Sequence, residues 1–300
     1  MLTCSEKHTF KFDFMPHASW TPDFETLNAQ FDFAIAEDIG DGDHSALSSI
    51  PHEHRGKAQL IIKENGVFAG GALAAYLFKY IDATATVKHF IEDGALVEKG
   101  TLALTVEGNT IKLLQSERLV LNYLQRLSGI ATRTYSYARL IDHTKCTVLD
   151  TRKTTPGLRF LEKWAVALGG GGNHRMGLYD MVMLKDNHID FAGGISKAVA
   201  RTKAYLAESN RTLAIEVETR NMQEVSAAIQ AGVDRIMLDN FSISETKEAV
   251  EYIAGRTEVE SSGGITHDTL VPYAECGVDF ISVGALTHHI KGLDMSLKAL

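Results

Sequence analysis

The sequence predicts an α/β protein in two parts, a small α/β domain followed by a closed or nearly closed β/α barrel. Three observations carry this. Short runs rich in Val and Ile recur through the second half, and the last four start at residues 213, 235, 257 and 279, a constant step of 22. Helix-like segments lie between them, and Gly232 and Gly277 follow two of these segments as helix-terminating glycines do. The first half has instead alternating apolar runs separated by Asn65-Gly66, Asp93-Gly94 and Gly108-Asn109 turns.

Taken in order, Asn28–Asp38 reads as a helix, and Lys57–Gly66, Thr84–Glu92 and Thr101–Gly108 read as strands. A long helical stretch, Thr110–Asp142, bridges to the barrel. The barrel strands are expected at Lys145–Asp150, Asp180–Lys185, Leu213–Thr219, Arg235–Asn240, Thr257–Ser262 and Asp279–Gly284, with helices at Asn221–Ala231, Ser244–Ala254 and His267–Cys276. Strands alternating with helices imply parallel βαβ units. The chain divides into residues 1–110, a bridging helical segment 111–142, the barrel 143–287 and a C-terminal helix 288–300. Beyond the barrel rhythm there is no repeat or low-complexity tract.

Composition narrows the function. At 300 residues, 45% hydrophobic and 23% charged, the chain has the profile of a globular enzyme with room for a large core. A pI near 5.8 argues against a nucleic-acid partner. No window approaches twenty apolar residues, so no membrane span is expected. Glu6, Lys7 and His8 stand where a secretory signal would need an apolar core. Cys4, Cys146 and Cys276 are few and widely spaced, which fits a reducing, cytoplasmic setting, and Cys146 is expected in the core.

Charge is distributed unevenly. From Arg152 to Lys185 there are six basic residues (Arg152, Lys153, Arg159, Lys163, Arg175, Lys185) against Glu162 and Asp180, a local +4 in a protein of net charge −8. These groups are interleaved with glycines and hydroxyls. A cationic cleft in an acidic protein suits a small, strongly anionic substrate, because fixed cations in a cleft focus potential on it.

The strand ends supply the candidate chemistry, since β/α barrels build active sites at the C-terminal ends of their strands. Arg152-Lys153 precedes a Thr154–Gly157 turn and is either an anion-binding fork or a solvated basic turn. Gly169–Gly172 precede Asn173-His174-Arg175, either to let backbone N–H groups approach an anion or as a flexible connector. Glu216 and Glu218 flank Val217 and share a face, and Asp239 ends the next strand. Two such carboxylates suit Mg²⁺, while Glu216 is expected in an interior salt bridge to Lys or Arg. Ser262-Gly263-Gly264-Ile265 and Val283–Thr287 are expected to bind phosphate. His52-x-His54 and His288-His289 lack a third partner nearby and read as solvated. Lys153 or Lys185 could form a Schiff base, but the neighbouring guanidiniums favour anion binding.

The motifs Thr151–Gly157 (TRKTTPG), Asn173–Gly177 (NHRMG), Lys185–His188 (KDNH), Glu216–Glu218 (EVE), Leu238–Phe241 (LDNF) and Ser262–Ile265 (SGGI) stand in an order and spacing that resembles the quinolinate phosphoribosyltransferase family. The resemblance runs from Glu37-Asp38-Ile39-Gly40 to the end of the sequence. It implies an open, incomplete β/α barrel with a smaller N-terminal α/β sandwich domain, assembled as a homodimer or a multiple of dimers. It implies transfer of the phosphoribosyl group of phosphoribosyl pyrophosphate to quinolinate with loss of CO₂, giving nicotinate mononucleotide for NAD synthesis. Arg152, His174, Arg175 and Lys185 would bind the two carboxylates of quinolinate. Lys153, Glu218, Asp239, Ser262, Gly263, Gly264 and Gly284 would surround phosphoribosyl pyrophosphate and its Mg²⁺, with Glu218 and Asp239 as metal ligands. Lys153, Glu218 and Asp239 would be catalytic. Arg118, in Glu117-Arg118 followed by Leu121-Asn122, would enter the neighbouring subunit's site.

There are departures. Asp41-Gly42-Asp43-His44-Ser45 stands where the family usually has Ser-Gly-Asp and a Thr pair, Asp186 replaces a usual Glu, and Tyr179 replaces small residues. A paralogue of the same fold associated with molybdenum transport tends to lack the Asn of Asn173-His174-Arg175 and the Lys185–His188 run, so both speak against it. A non-catalytic anion-binding barrel would not need Glu218 and Asp239 beside an anion.

Overall fold

The structure is a computed structural model and describes residues 20–300. The expectations at Cys4 and residues 6–8 lie outside the described residues. The first domain contains α1 (Asn28–Ile39), α2 (His44–Ser49), β1 (Arg55–Ile62), β2 (Gly66–Val67), α3 (Gly71–Ile81), β3 (Thr86–His89), β4 (Leu96–Val97) and β5 (Leu102–Asn109). Alternation sets its inner face: Ala58, Leu60 and Ile62 of β1 are buried, with partly exposed neighbours between them. The long helix α4 (Thr110–Leu140) starts where the Asn109 side chain accepts the Lys112 N–H, an N-cap that satisfies one free donor of the first turn. It packs against α3 on one side and the barrel on the other.

The second domain follows as β6 (Thr147–Leu149), α5 (Arg159–Leu168), β7 (Val182–Leu184), α6 (Asp186–Ala192), α7 (Ile195–Glu208), β8 (Ile215–Thr219), α8 (Met222–Ala231), β9 (Arg235–Asp239), α9 (Ile243–Ile253), β10 (Glu258–Ser262), α10 (Leu270–Glu275), β11 (Phe280–Ser282) and α11 (Ala285–His288), with β12 (Met295–Ala299) after it. All six expected barrel strands form one parallel sheet in the order β6-β11-β10-β9-β8-β7. Among the described residues no ladder joins β6 to β7, so the barrel is open at that seam.

The tetraglycine lies in the seam, and its role differs from both sequence expectations. Gly172 bridges Leu149 in parallel, donating to Val148 O at 2.8 Å. A Cβ at Gly169 would lie 2.4 Å from Ala131 O, and one at Gly171 would lie 2.6 Å from Thr134 Cγ2, both on α4. The run is neither an anion cradle nor a loose connector. It lets the chain close-pack against α4 while patching the sheet edge.

The C-terminal helix expected at 288–300 is corrected. Only Ala285–His288 is helical, and Met295–Ala299 is a strand antiparallel to β1, pairing Ala58 with Ala299 and Ile62 with Met295. This gives the first domain the sheet order β12-β1-β5-β3. The segment satisfies its backbone groups on a sheet edge far away in sequence, so local pattern could not reveal it. Cys146 is buried as expected. No helix among the described residues is long and apolar enough to cross a membrane.

Candidate active site

The strand ends of the barrel converge, and the loop after β6 is the most heavily fixed. Asp150 is fully buried and ion-paired with the equally buried Lys163 of α5. The same carboxylate accepts from His174 N at 2.9 Å and from Asn173 Nδ2 at 2.7 Å, while Lys163 also donates to His174 O at 2.8 Å. Asn173 Oδ1 in turn accepts the Trp20 indole N–H at 3.2 Å. One buried ion pair therefore sets the backbone of Asn173-His174-Arg175 from both sides. Buried charges are tolerated only when paired and hydrogen-bonded in this manner.

Arg175 is buried, donating to Met181 O at 3.1 Å, and Arg152 is exposed beside it. Burial, then the neighbouring Arg152 guanidinium, holds Arg175 below its ordinary pKa. Two neighbouring guanidiniums, one of them exposed, suit an anionic ligand. At the end of β7, Lys185 Nζ donates to Glu218 Oε2 at 2.7 Å. Asp239, at the end of β9, which adjoins the β8 strand that carries Glu218, is held above the usual carboxylate range by burial and by the Glu218 charge. Crowded carboxylates of this sort suit a divalent cation, which relieves their repulsion, so the donor set fits Mg²⁺.

The last two loops close the other side. Gly263 and Gly264 have φ of +100° and +61°. A Cβ at Gly263 would sit 2.2 Å from Asn240 Oδ1, so the close approach of the loops after β9 and β10 requires glycine there. Asn240 N donates to Ser262 O at 2.8 Å, locking these strand ends together. Gly284 faces Lys153, whose Cδ would lie 3.1 Å from a Cβ at that position, and His288, whose Nε2 would lie 2.9 Å from it.

Residues 43–128 match the family description "Quinolinate phosphoribosyl transferase, N-terminal domain", and residues 130–298 match its C-terminal domain. The chain belongs to the quinolinate phosphoribosyltransferase family. It is 46% identical over 288 residues to a chloroplastic nicotinate-nucleotide pyrophosphorylase (carboxylating) of Oryza sativa, covering 91% of this chain and 77% of that one. It is 44% identical over 267 residues to a probable nicotinate-nucleotide pyrophosphorylase of Synechocystis, covering 88% and 89%. The crystal structure of NadC from Streptococcus pyogenes superposes with a TM-score of 0.89 at 38% identity, covering 94% of this chain and 99% of that one.

Within this family member the structure sets Arg152 near Arg175, sets Lys185, Glu218 and Asp239 together, and has Glu216 within electrostatic reach of both Arg175 and Lys185; Lys153 lies against Gly284. Arg118 is exposed on α4 and makes no ion pair among the described residues. His174 is 7% exposed and turns inward. Its Nδ1 accepts the Arg175 N–H at 2.8 Å, which leaves the proton on Nε2, and Nε2 lies 3.0 Å from Glu216 Oε2 and 3.5 Å from Glu260 Oε2. Glu216 is thus an interior acid, as expected, but its close partner is a histidine.

Two further buried groups at this cluster were not singled out by sequence. Glu260, on β10, lies 3.3 Å from Arg235 NH1, and Arg235 stacks over Phe280 at 3.9 Å. Burial pushes both Glu216 and Glu260 up to about 7, Glu260 further through the Glu216 charge, so the pair retains a proton near neutrality. His174, Glu216 and Glu260 have three ligand atoms within 4.8 Å of one another. The Arg235 guanidinium already supplies the positive charge that a metal would bring there. His288, read from sequence as solvated, is exposed as expected, and it stands next to Gly284, where burial of its inner side and the nearby His289, Lys153 and Arg133 hold it below its ordinary pKa.

Proposed function

We infer that this protein is a quinolinate phosphoribosyltransferase, transferring the phosphoribosyl group of phosphoribosyl pyrophosphate to quinolinate and releasing pyrophosphate and CO₂ in NAD biosynthesis. Family membership over both domains is the observation that carries the reaction, and the nearness of Arg152 to Arg175, with Lys185, Glu218 and Asp239 grouped at the neighbouring strand ends, supports it. In this reading Arg152, Arg175 and Lys185 clamp the two carboxylates of quinolinate and aim its nitrogen at ribose C1. His174 acts from behind, through the backbone of Arg175. Orientation of this kind supplies roughly 7–11 kcal/mol in well-aligned reactions.

Glu218 and Asp239 would hold Mg²⁺, which supplies charge neutralisation at the pyrophosphate. As the nitrogen–C1 bond forms and the C1–oxygen bond breaks, the same two carboxylates stabilise positive charge at C1. Lys153, with Ser262, Gly263, Gly264 and Gly284, holds the phosphate groups. The pyridinium then accepts the electrons of the departing 2-carboxylate, and a proton from water replaces CO₂ on the ring. Arg118 is assigned to the site of a second copy, in a homodimer or a multiple of dimers, by the family resemblance, and its exposure on α4 is compatible with that role. The compartment proposed is the cytoplasm, on the free thiols of Cys146 and Cys276.

The test is to follow nicotinate mononucleotide and CO₂ together from both substrates, with and without Mg²⁺. Stoichiometric, Mg²⁺-dependent appearance of both is the expected result. Tight quinolinate binding without turnover would overturn the reading.

A further inference from the structure

Arg126 lies on α4, outside every motif that marks the pocket, yet it is tied to both loops that flank Lys153. Its Nε donates to Glu162 Oε1 at 2.8 Å, and its terminal NH2 donates to Thr155 Oγ1 at 2.7 Å and to Thr287 O at 3.3 Å. Glu162 is fully buried on α5 and accepts the Thr155 N–H at 3.1 Å through its other oxygen. The Thr287 hydroxyl, also buried, donates to Lys153 O at 2.9 Å. A closed ring of bonds therefore runs from the guanidinium to Thr155, back along the chain to Lys153, across to Thr287 and home. It joins the loop after β6 to the loop after β11, and fixes both to the helix that bears Arg118.

We propose that Arg126 is a positioning residue that sets the spacing between Lys153 and Gly284, and so tunes the phosphate end of the site while leaving the quinolinate end alone. This rests on the assignment of Lys153 and Gly284 to phosphoribosyl pyrophosphate. The selectivity follows from connectivity. The ring reaches its first loop at Lys153 and Thr155 and its second at the turn after Gly284. Of the groups assigned to quinolinate, Arg175 and Lys185 are held by separate partners, Asp150–Lys163 through the backbone and Glu218, and Arg152, next to Lys153 in the same loop, has its carbonyl held by Arg159 rather than by Arg126. Arg suits the position better than Lys because its fork spreads the donors, Nε on the carboxylate and NH2 on the hydroxyl and the carbonyl, whereas a Lys ammonium offers its three from a single point.

The experiment uses the full chain and compares Arg126→Lys, Thr287→Val and Lys153→Ala with the parent, measuring KM for each substrate, kcat and calorimetric binding of each ligand. For Arg126→Lys the expected result is a rise in KM for phosphoribosyl pyrophosphate of roughly tenfold, the equivalent of one charge-assisted hydrogen bond, with quinolinate affinity within about twofold. Thr287→Val should move the same parameter in the same direction, and guanidinium ion should partly restore an Arg126→Ala enzyme. An unchanged KM for phosphoribosyl pyrophosphate, or equal loss for both substrates, would overturn the inference. If Arg126→Lys does not fold, Thr287→Val decides by the same criteria. Lys153→Ala separates the two levels: if it binds phosphoribosyl pyrophosphate normally, the assignment beneath the inference fails, whereas weak binding there with normal Arg126→Lys overturns the inference alone.

Discussion

The mouth and the floor of the pocket use the same residue types for opposite purposes. At the mouth, Arg152 and Lys153 are exposed and carry charge that the chain leaves available. On the floor, Asp150 meets Lys163, and Glu260 meets Arg235 and His174, with almost no solvent access. Charge at the mouth is there to be answered by ligand, and charge on the floor is already answered by protein. The lesson is that charge alone does not mark a binding group: Lys163 and Arg235 are as basic as Arg152 and Lys153, but they are buried against acids of their own. Arg175 bridges the two regions, buried yet crowded by Arg152.

That comparison can be broken from either side. The largest effect is expected at the bridge: Arg175→Ala should lower kcat/KM for quinolinate by about thirtyfold or more, the loss typical of truncating a buried charge, while binding of phosphoribosyl pyrophosphate stays within a few-fold. Equal loss for both ligands in calorimetry would remove Arg175 from the quinolinate site. Lys163→Met strands Asp150 and should cost about 3–5 kcal/mol of stability in urea unfolding; a change below about 1 kcal/mol would mean that the floor is not held by that pair.

At the acidic side, Asp239→Asn should lower kcat on the order of a hundredfold and raise the Mg²⁺ concentration needed for half-activity, with the fold intact by circular dichroism. An unshifted Mg²⁺ dependence would take Asp239 off the metal. The smallest effect concerns the proton held by Glu216 and Glu260. Both are raised from 4.5 to about 7 by burial, so the folded protein keeps a proton that the unfolded chain releases. Their contribution to stability is complete below pH 4.5 and is lost as pH rises to about 7. Glu260→Gln should therefore flatten the fall in stability between about pH 5 and about pH 8 by roughly 1–3 kcal/mol. Parallel urea midpoints for parent and variant across that range would count against a shared proton.

The barrel was legible because each strand is a short apolar run with a polar end, and both signals are local. Arg152, Lys185, Glu218 and Asp239 were singled out for that reason, and the structure has each of them at or close to a strand end. The helix α3 was not, since GALAAYLFKYI is apolar at nearly every position and carries a single charge, Lys79, to mark its solvent face. The strand β12 was read as helix because its partner β1 lies at the other end of the sequence. Arg126 and Glu162 look like ordinary helix-surface charges, and Lys163 was counted with the cationic cleft; only tertiary packing reveals that Glu162 and Lys163 are completely buried and that Lys163 is neutralised by Asp150 rather than facing a ligand. His174 was assigned to substrate by resemblance, and nothing local could disclose that both ring nitrogens face protein groups.

The return of β12 to the first domain has a consequence for biosynthesis. Strand β1 emerges early from the ribosome, but its neighbour Met295–Ala299 is made only after every barrel strand. Domains usually complete themselves in order of translation. Here the first sheet waits with one edge open until the barrel has been made, so nascent chains carry an unpaired strand for most of translation, a natural point for chaperone capture or for pairing with another nascent copy.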